Sequence, residues 1–200
     1  MSSLIAFLNS IAPDQLKVAP RTERANFREE GSPYKPLMLL VVIAKILDRH
    51  PGFLTPEVRY ADVYQPFMRA HSALCPGPGP VVKPDTAVQP FWKLGAGTPQ
   101  IWRLFPVSDQ GDVLVKTMDQ PAGSQVKTRR KLDGLVQYAE FPTSDWSMIS
   151  DPINGETIIS YLLAVSMMTS TSELSLVPSG GRSAGGLMGA TVRTVDCTRD

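Results

Sequence analysis

The sequence predicts an α+β fold, a compact helical domain around a buried central helix with a β-hairpin or small antiparallel sheet. Three observations predict it. In the run 37–47, ten of eleven residues are apolar, so every face of a helix there is hydrophobic and the helix belongs in the middle of the domain. Apolar residues recur close to helical spacing both before and after that run. Further on, QPFWKL and QIWRLF, separated by GAGTP, read as two short strands joined by a Gly-containing turn. Composition fits a folded domain of ordinary size: of 200 residues 42% are apolar and 20% charged, while 18 Pro and 15 Gly point to long irregular connections.

In chain order, Leu4, Ile5, Phe7, Leu8, Ile11 and Leu16 give a first helix over about 3–17, with Pro13 placed to break or bend it. Residues 18–31 set Arg21, Arg24 and Arg28 against Glu23, Glu29 and Glu30 and read as a charged linker or short helix. The central helix follows. Ser32 is a potential cap, and Pro36 suits the first turn, where its missing N–H costs nothing. Crossing a bilayer takes roughly 20 apolar residues, and Lys45 interrupts this shorter run. His50-Pro51-Gly52 then ends the helix. A third helix is read over 61–74, from Val63, Tyr64, Phe67, Met68 and Leu74, with Pro66 as a kink position. The Pro- and Gly-rich segment 75–90 argues against regular structure. Beyond the hairpin, GDVLVKTM is compatible with a further strand, PAGSQVKTRRKLDG reads as a basic loop, and a last helix is expected around 155–168. Residues 1–168 make one domain, and 169–200, rich in Ser, Thr and Gly without periodicity, read as a disordered tail.

A formal charge of +1 means that any nucleic-acid binding must come from local patches. The charge is segregated: residues 116–131 hold five bases and one acid, whereas 133–156 hold five acids and no base. That pattern permits one basic face, and it equally suits two solvated surfaces. Cys75 and Cys197, the two cysteines, support no disulfide framework. The N-terminus lacks the basic start and continuous apolar core of a secretory signal, so a cytoplasmic location is expected.

Catalytic chemistry finds few candidates. A metal nuclease needs clustered His, Asn and acidic ligands, and the histidines are His50 and His71 alone. His71 and Cys75 lie four apart, half of a zinc site without a second half nearby. GAGTPQ lacks the strand-turn-helix setting of a dinucleotide fingerprint. The spacing of Asp145, Asp151 and Glu156 marks no site, and Trp92 and Trp102 are core aromatics more readily than a stacking platform. No catalytic residue, metal site or cofactor is assigned.

Two features stand together instead: Tyr34-Lys35-Pro36 opening the buried helix, and Gln89-Pro90-Phe91-Trp92-Lys93 opening the hairpin. The frame YKPLMLL, a helix, a variable loop, QPFWKL, a Gly turn and IWRL resembles the sulfur-binding domain that recognises phosphorothioate-modified DNA and usually precedes an HNH nuclease domain in modification-dependent restriction endonucleases. The resemblance spans roughly residues 1–165. It implies an apolar pocket for the sulfur, which is larger, more polarisable and a poorer acceptor than oxygen and so loses less on desolvation. It also implies cationic or N–H partners for the surrounding charge, which a helix N-terminus supplies. Carried over, the family's His followed by Arg or Lys falls on Tyr34 and Lys35, and its Tyr-Pro-Phe element on Gln89, Pro90 and Phe91. Pro90 becomes the pocket wall and Lys35 the phosphate contact. Tyr34 in place of His and Gln89 in place of Tyr are departures, and Gln89 makes the pocket more polar.

The resemblance thus implies a DNA-recognition module for phosphorothioated double-stranded DNA, acting with an HNH nuclease domain or subunit, without catalysis in this chain and without a membrane. Arg24, Arg28, Lys93, Arg129 and Arg130 would add phosphate or base-edge contacts. Two other readings stay open. One is a winged-helix-like transcription regulator with 61–74 in the major groove and the hairpin as wing. The other is a protein-interaction subunit using the hairpin aromatics.

Overall fold

The computed structural model describes residues 3–16, 34–74, 84–120 and 126–167. Its architecture is α+β, with helices gathered around a central one and a three-stranded antiparallel sheet at one side. Arg24 and Arg28, the Ser32 cap, both cysteines and the tail 169–200 lie outside the described residues.

The central helix, α3, runs Tyr34–Leu47 and buries Pro36, Leu37, Met38, Leu39, Val41, Val42, Ile43 and Ile46. Its all-round apolar surface is covered by α4 (Tyr60–Leu74), α5 (Val88–Ala96) and, most extensively, α9 (Pro152–Met167). Gly155 of α9 lies against the end of α3: a Cβ added there would stand 2.6 Å from Leu47 Cδ2 and 2.8 Å from the Ile149 carbonyl oxygen. A missing side chain is therefore what permits this approach. The expected first helix is two, α1 (Leu4–Ser10) and α2 (Pro13–Leu16), with the break falling at Pro13 as its chemistry requires. Ser3 caps α1 by accepting a hydrogen bond from the Ala6 N–H at 3.1 Å.

Four sequence expectations are corrected. Residues 88–96 form helix α5, not the first strand of a hairpin. The period is helical: Val88, Phe91, Trp92 and Gly95 are buried at i, i+3, i+4 and i+7, with Pro90 and Leu94 buried beside them, and Pro90 sits in the first turn, where a helix tolerates it. The chain does fold back after the Gly-containing segment, with a cis Thr98–Pro99 bond, Gln100 Nε2 donating to the Gly95 carbonyl at 2.8 Å and the Ile101 N–H donating to the Leu94 carbonyl at 2.8 Å. GDVLVKTM is helix α6 (Gly111–Met118) and not a strand, and the basic loop contains a helix, α7 (Arg129–Asp133), capped by Thr128. Segment 75–90, read as irregular, contains a 3-10 turn, Pro84–Ala87, and the start of α5.

The sheet comprises β1 (Glu57–Val58), β2 (Arg103–Pro106) and β3 (Val136–Glu140), in the order β1-β3-β2. Leu104 pairs with Ala139, which pairs with Val58, and these three face the core. The paired Arg103 and Glu140, with Glu57 opposite Glu140, lie on the other face, where Phe105 and Tyr138 stack at 4.7 Å. Short α8 (Thr143–Ile149) leads from β3 to α9, whose N-cap Asp151 accepts from the Asn154 N–H at 2.9 Å. Asp151-Pro152 therefore starts the last helix three residues before the expected 155. Among the described residues, no helix is long and apolar enough to cross a membrane.

Candidate nucleic-acid interface

Residues 88–96 carry much of the proposed site, and their helical state decides which of them reach solvent. Phe91 and Trp92 are buried in the core, Pro90 is buried in the first turn of α5, and Gln89 and Lys93 are half-buried. Trp102 is buried as well, its indole N–H donating to the Phe91 carbonyl at 3.2 Å and its ring 5.1 Å from that of Phe91. Both tryptophans are core residues, because a buried indole N–H needs such a partner and here Trp102 has one.

Gln89 has a specific structural task. Its Nε2 donates to the Val126 carbonyl at 2.6 Å, across a sequence separation of 37 residues. Val126 is buried and leads into the exposed run Lys127, Thr128, Arg129, Arg130 and Lys131. The start of α7 is fixed twice more, by Thr128 Oγ1 accepting from the Lys131 N–H at 3.3 Å and by Asp85 Oδ1 accepting from the Arg129 N–H at 2.8 Å. Buried Leu132 anchors the helix from below, so its cations point outward. The structure thus brings Gln89 and Arg129 to neighbouring places, α5 and α7 being in contact.

Arg129 also reaches α4. Its guanidinium carbon lies 5.7 Å from the centre of the Tyr64 ring, and its Nε donates to Asp133 Oδ2 at 3.2 Å. That pair is half-exposed and spans i,i+4, so it contributes at most about 0.3–0.5 kcal/mol. One turn earlier on α4, Tyr60 is 5% exposed, its ring 6.1 Å from Tyr64 and edge-on to Phe91 at 5.5 Å. Burial pushes the Tyr60 phenol well above the ordinary tyrosine range, Arg129 pulling it down and Tyr64, Asp85 and Asp133 raising it further. Tyr60 therefore keeps its proton at any working pH. Tyr60, Tyr64 and Asp85 were not singled out by sequence reasoning. The signal present was Tyr60 and Tyr64 at i,i+4 spacing on one helix.

Tyr34 and Lys35 open α3 and are half-buried. The Tyr34 ring meets α4 at Phe67, at 6.1 Å, and at His71, at 5.1 Å. Arg129 meets the same helix at Tyr64, seven residues before His71, which is about 10 Å along the axis. The site residues accordingly form two groups, one at each half of α4. His71 is buried, and desolvation lowers its pKa from the usual histidine value. His50 accepts from the Gly52 N–H through Nδ1 at 3.4 Å and caps the turn Pro51–Phe53. Among the described residues, no group of three or more His, Cys, Asp or Glu is placed to hold a metal ion.

On α4 the exposed positions are Ala61, Gln65, Arg69, Ser72 and Ala73, a single cation for a helix that the regulator reading sets in the major groove. The wing of that reading is α5, and β2 pairs with β3 instead. No protein-family model matches the chain, and no curated protein matches it.

Proposed function

We propose that this chain is a DNA-binding module that recognises phosphorothioate-modified duplex DNA, with the backbone held by cations beside an apolar surface that takes the sulfur. The observation that supports it most is the Gln89–Val126 hydrogen bond, which joins the Pro90-Phe91 element to the exposed cations Lys127, Arg129, Arg130 and Lys131. Cations set beside an apolar, proline-containing element suit a phosphorothioate: the charge is met by guanidinium and ammonium groups, while sulfur forgoes fewer hydrogen bonds than oxygen on meeting carbon. Lys35, which follows Tyr34 at the start of α3, would meet a phosphate further along the backbone. Within this reading the chain supplies recognition, and strand cleavage belongs to an HNH nuclease domain or subunit acting with it in a restriction system of the cytoplasm.

The test is a competition assay with two duplexes of one sequence, one of them carrying a single phosphorothioate. Preferential displacement by the modified duplex is expected; equal competition by both would sink the sulfur reading.

A further inference from the structure

The Tyr60 hydroxyl is sealed from solvent and has no hydrogen-bond partner among the described residues. A buried O–H left unsatisfied is destabilising, and a phenylalanine would fill the same space without that cost. The hydroxyl belongs to a ring that touches Phe91, the residue after Pro90, and Tyr64, the residue under Arg129. A donor, a cation and the apolar element of the proposed sulfur site thus meet around one side chain. Arg129 is also lightly held, since its tie to Asp133 is a half-exposed i,i+4 pair, so its guanidinium can turn from Asp133 to a ligand. Asp85 is occupied by the Arg129 backbone N–H and stays on the protein side.

We propose that Tyr60 is a DNA-binding residue whose O–H donates to the non-bridging oxygen of the recognised phosphoryl group, with the Arg129 guanidinium neutralising that group's charge. This rests on the DNA-binding reading above and deepens it. A phosphorothioate carries one non-bridging oxygen and one sulfur, and the two need different surroundings. Tyr60 serves the oxygen, and the apolar element beside it serves the sulfur. An ordinary phosphodiester offers the hydroxyl the same oxygen, so Tyr60 contributes to affinity for both duplexes and not to the preference between them.

The experiment measures binding of the full chain, as wild type, Tyr60→Phe, Arg129→Gln and the double variant, to the two duplexes by fluorescence anisotropy, with thermal melting alongside. Each single variant is expected to lose about tenfold or more on both duplexes, the size of a hydrogen bond to a charged group. The double variant should lose less than the product, because both groups act on one phosphate. Tyr60→Phe should melt no lower than wild type. Unchanged DNA affinity in Tyr60→Phe overturns the proposal, and if its melting temperature also falls, the hydroxyl holds a buried water only. Because Arg129 is exposed, Arg129→Gln tests the same phosphate independently of any folding defect at Tyr60, and wild-type affinity in that variant is equally fatal. Wild type alone reports on the broader reading: without preference for the modified duplex the sulfur assignment falls while the Tyr60 contact is still measured, and without any DNA binding both fall.

Discussion

His71 is a buried base at the edge of Tyr34, and its depressed pKa couples stability to pH. A histidine with a lowered folded pKa binds its proton more readily in the unfolded chain, so stability is fully present above the unfolded value of about 6.5 and is lost as pH falls toward and through the folded one. Melting temperature should therefore drop between roughly pH 7 and pH 5. His71→Phe keeps a ring against Tyr34 and Phe67 and should flatten that part of the profile; an unchanged slope would assign it to other groups. Lys35→Ala, at the same end of α3, should weaken DNA binding and reduce the salt slope by about one phosphate contact, read from affinities at several salt concentrations. At this scale the sequence signalled chemistry through residue type but not through environment. Lys35 and Arg129 are cations wherever they sit. Tyr60 carries no such signal, because what sets it apart is a buried hydroxyl without a partner among the described residues, a property of the packing around it.

Elements were legible where periodicity was long and unambiguous. The central helix, the helix over 60–74 and the break at Pro13 follow directly from apolar spacing and proline chemistry. Residues 88–96 did not, because a nine-residue apolar segment with two aromatics satisfies strand propensity while its burial pattern is helical. GDVLVKTM is a similar case: Val113 and Val115 alternate as in a strand, yet both are exposed, and the buried residues are Leu114 and Thr117 at i,i+3. Two predictions belong here. Gly155→Ala adds a Cβ into Leu47 and the Ile149 carbonyl, so overpacking of about 1–3 kcal/mol should exceed the roughly 1 kcal/mol gained in helix propensity, lowering the denaturation midpoint. Gln89→Ala removes the donor that holds the Val126 carbonyl. Faster amide exchange at Leu132 and Gly134 is then expected, whereas exchange in α9 should stay as in the wild type.

For the whole molecule, the decisive quantity is where the charge sits. With a formal charge of +1 the chain has no long-range field to gather DNA, so the proposed DNA affinity would have to come from a few local cations. The fold concentrates four of them, Lys127, Arg129, Arg130 and Lys131, in one exposed stretch, and packs α7 against α5. The sheet surface bearing Glu57 and Glu140 offers DNA no comparable attraction. If those four and Lys35 each neutralise one phosphate, log affinity should fall against log salt with a slope of about −4.5. Replacing Arg130 and Lys131 together by Gln should bring the slope toward about −2.7 and weaken modified and unmodified duplexes by the same factor, because in the proposed mode neither side chain meets the sulfur. A Pro90→Ala variant gives the opposite signature. It should leave the slope intact, since no charge is lost, and narrow the gap between the two duplexes, since Pro90 is the proposed wall of the sulfur site. If the chain binds DNA as proposed, recognition of the backbone and of the sulfur are separable, because the cations lie on or just before the exposed helix α7, whereas Pro90 and Phe91 belong to the buried face of α5.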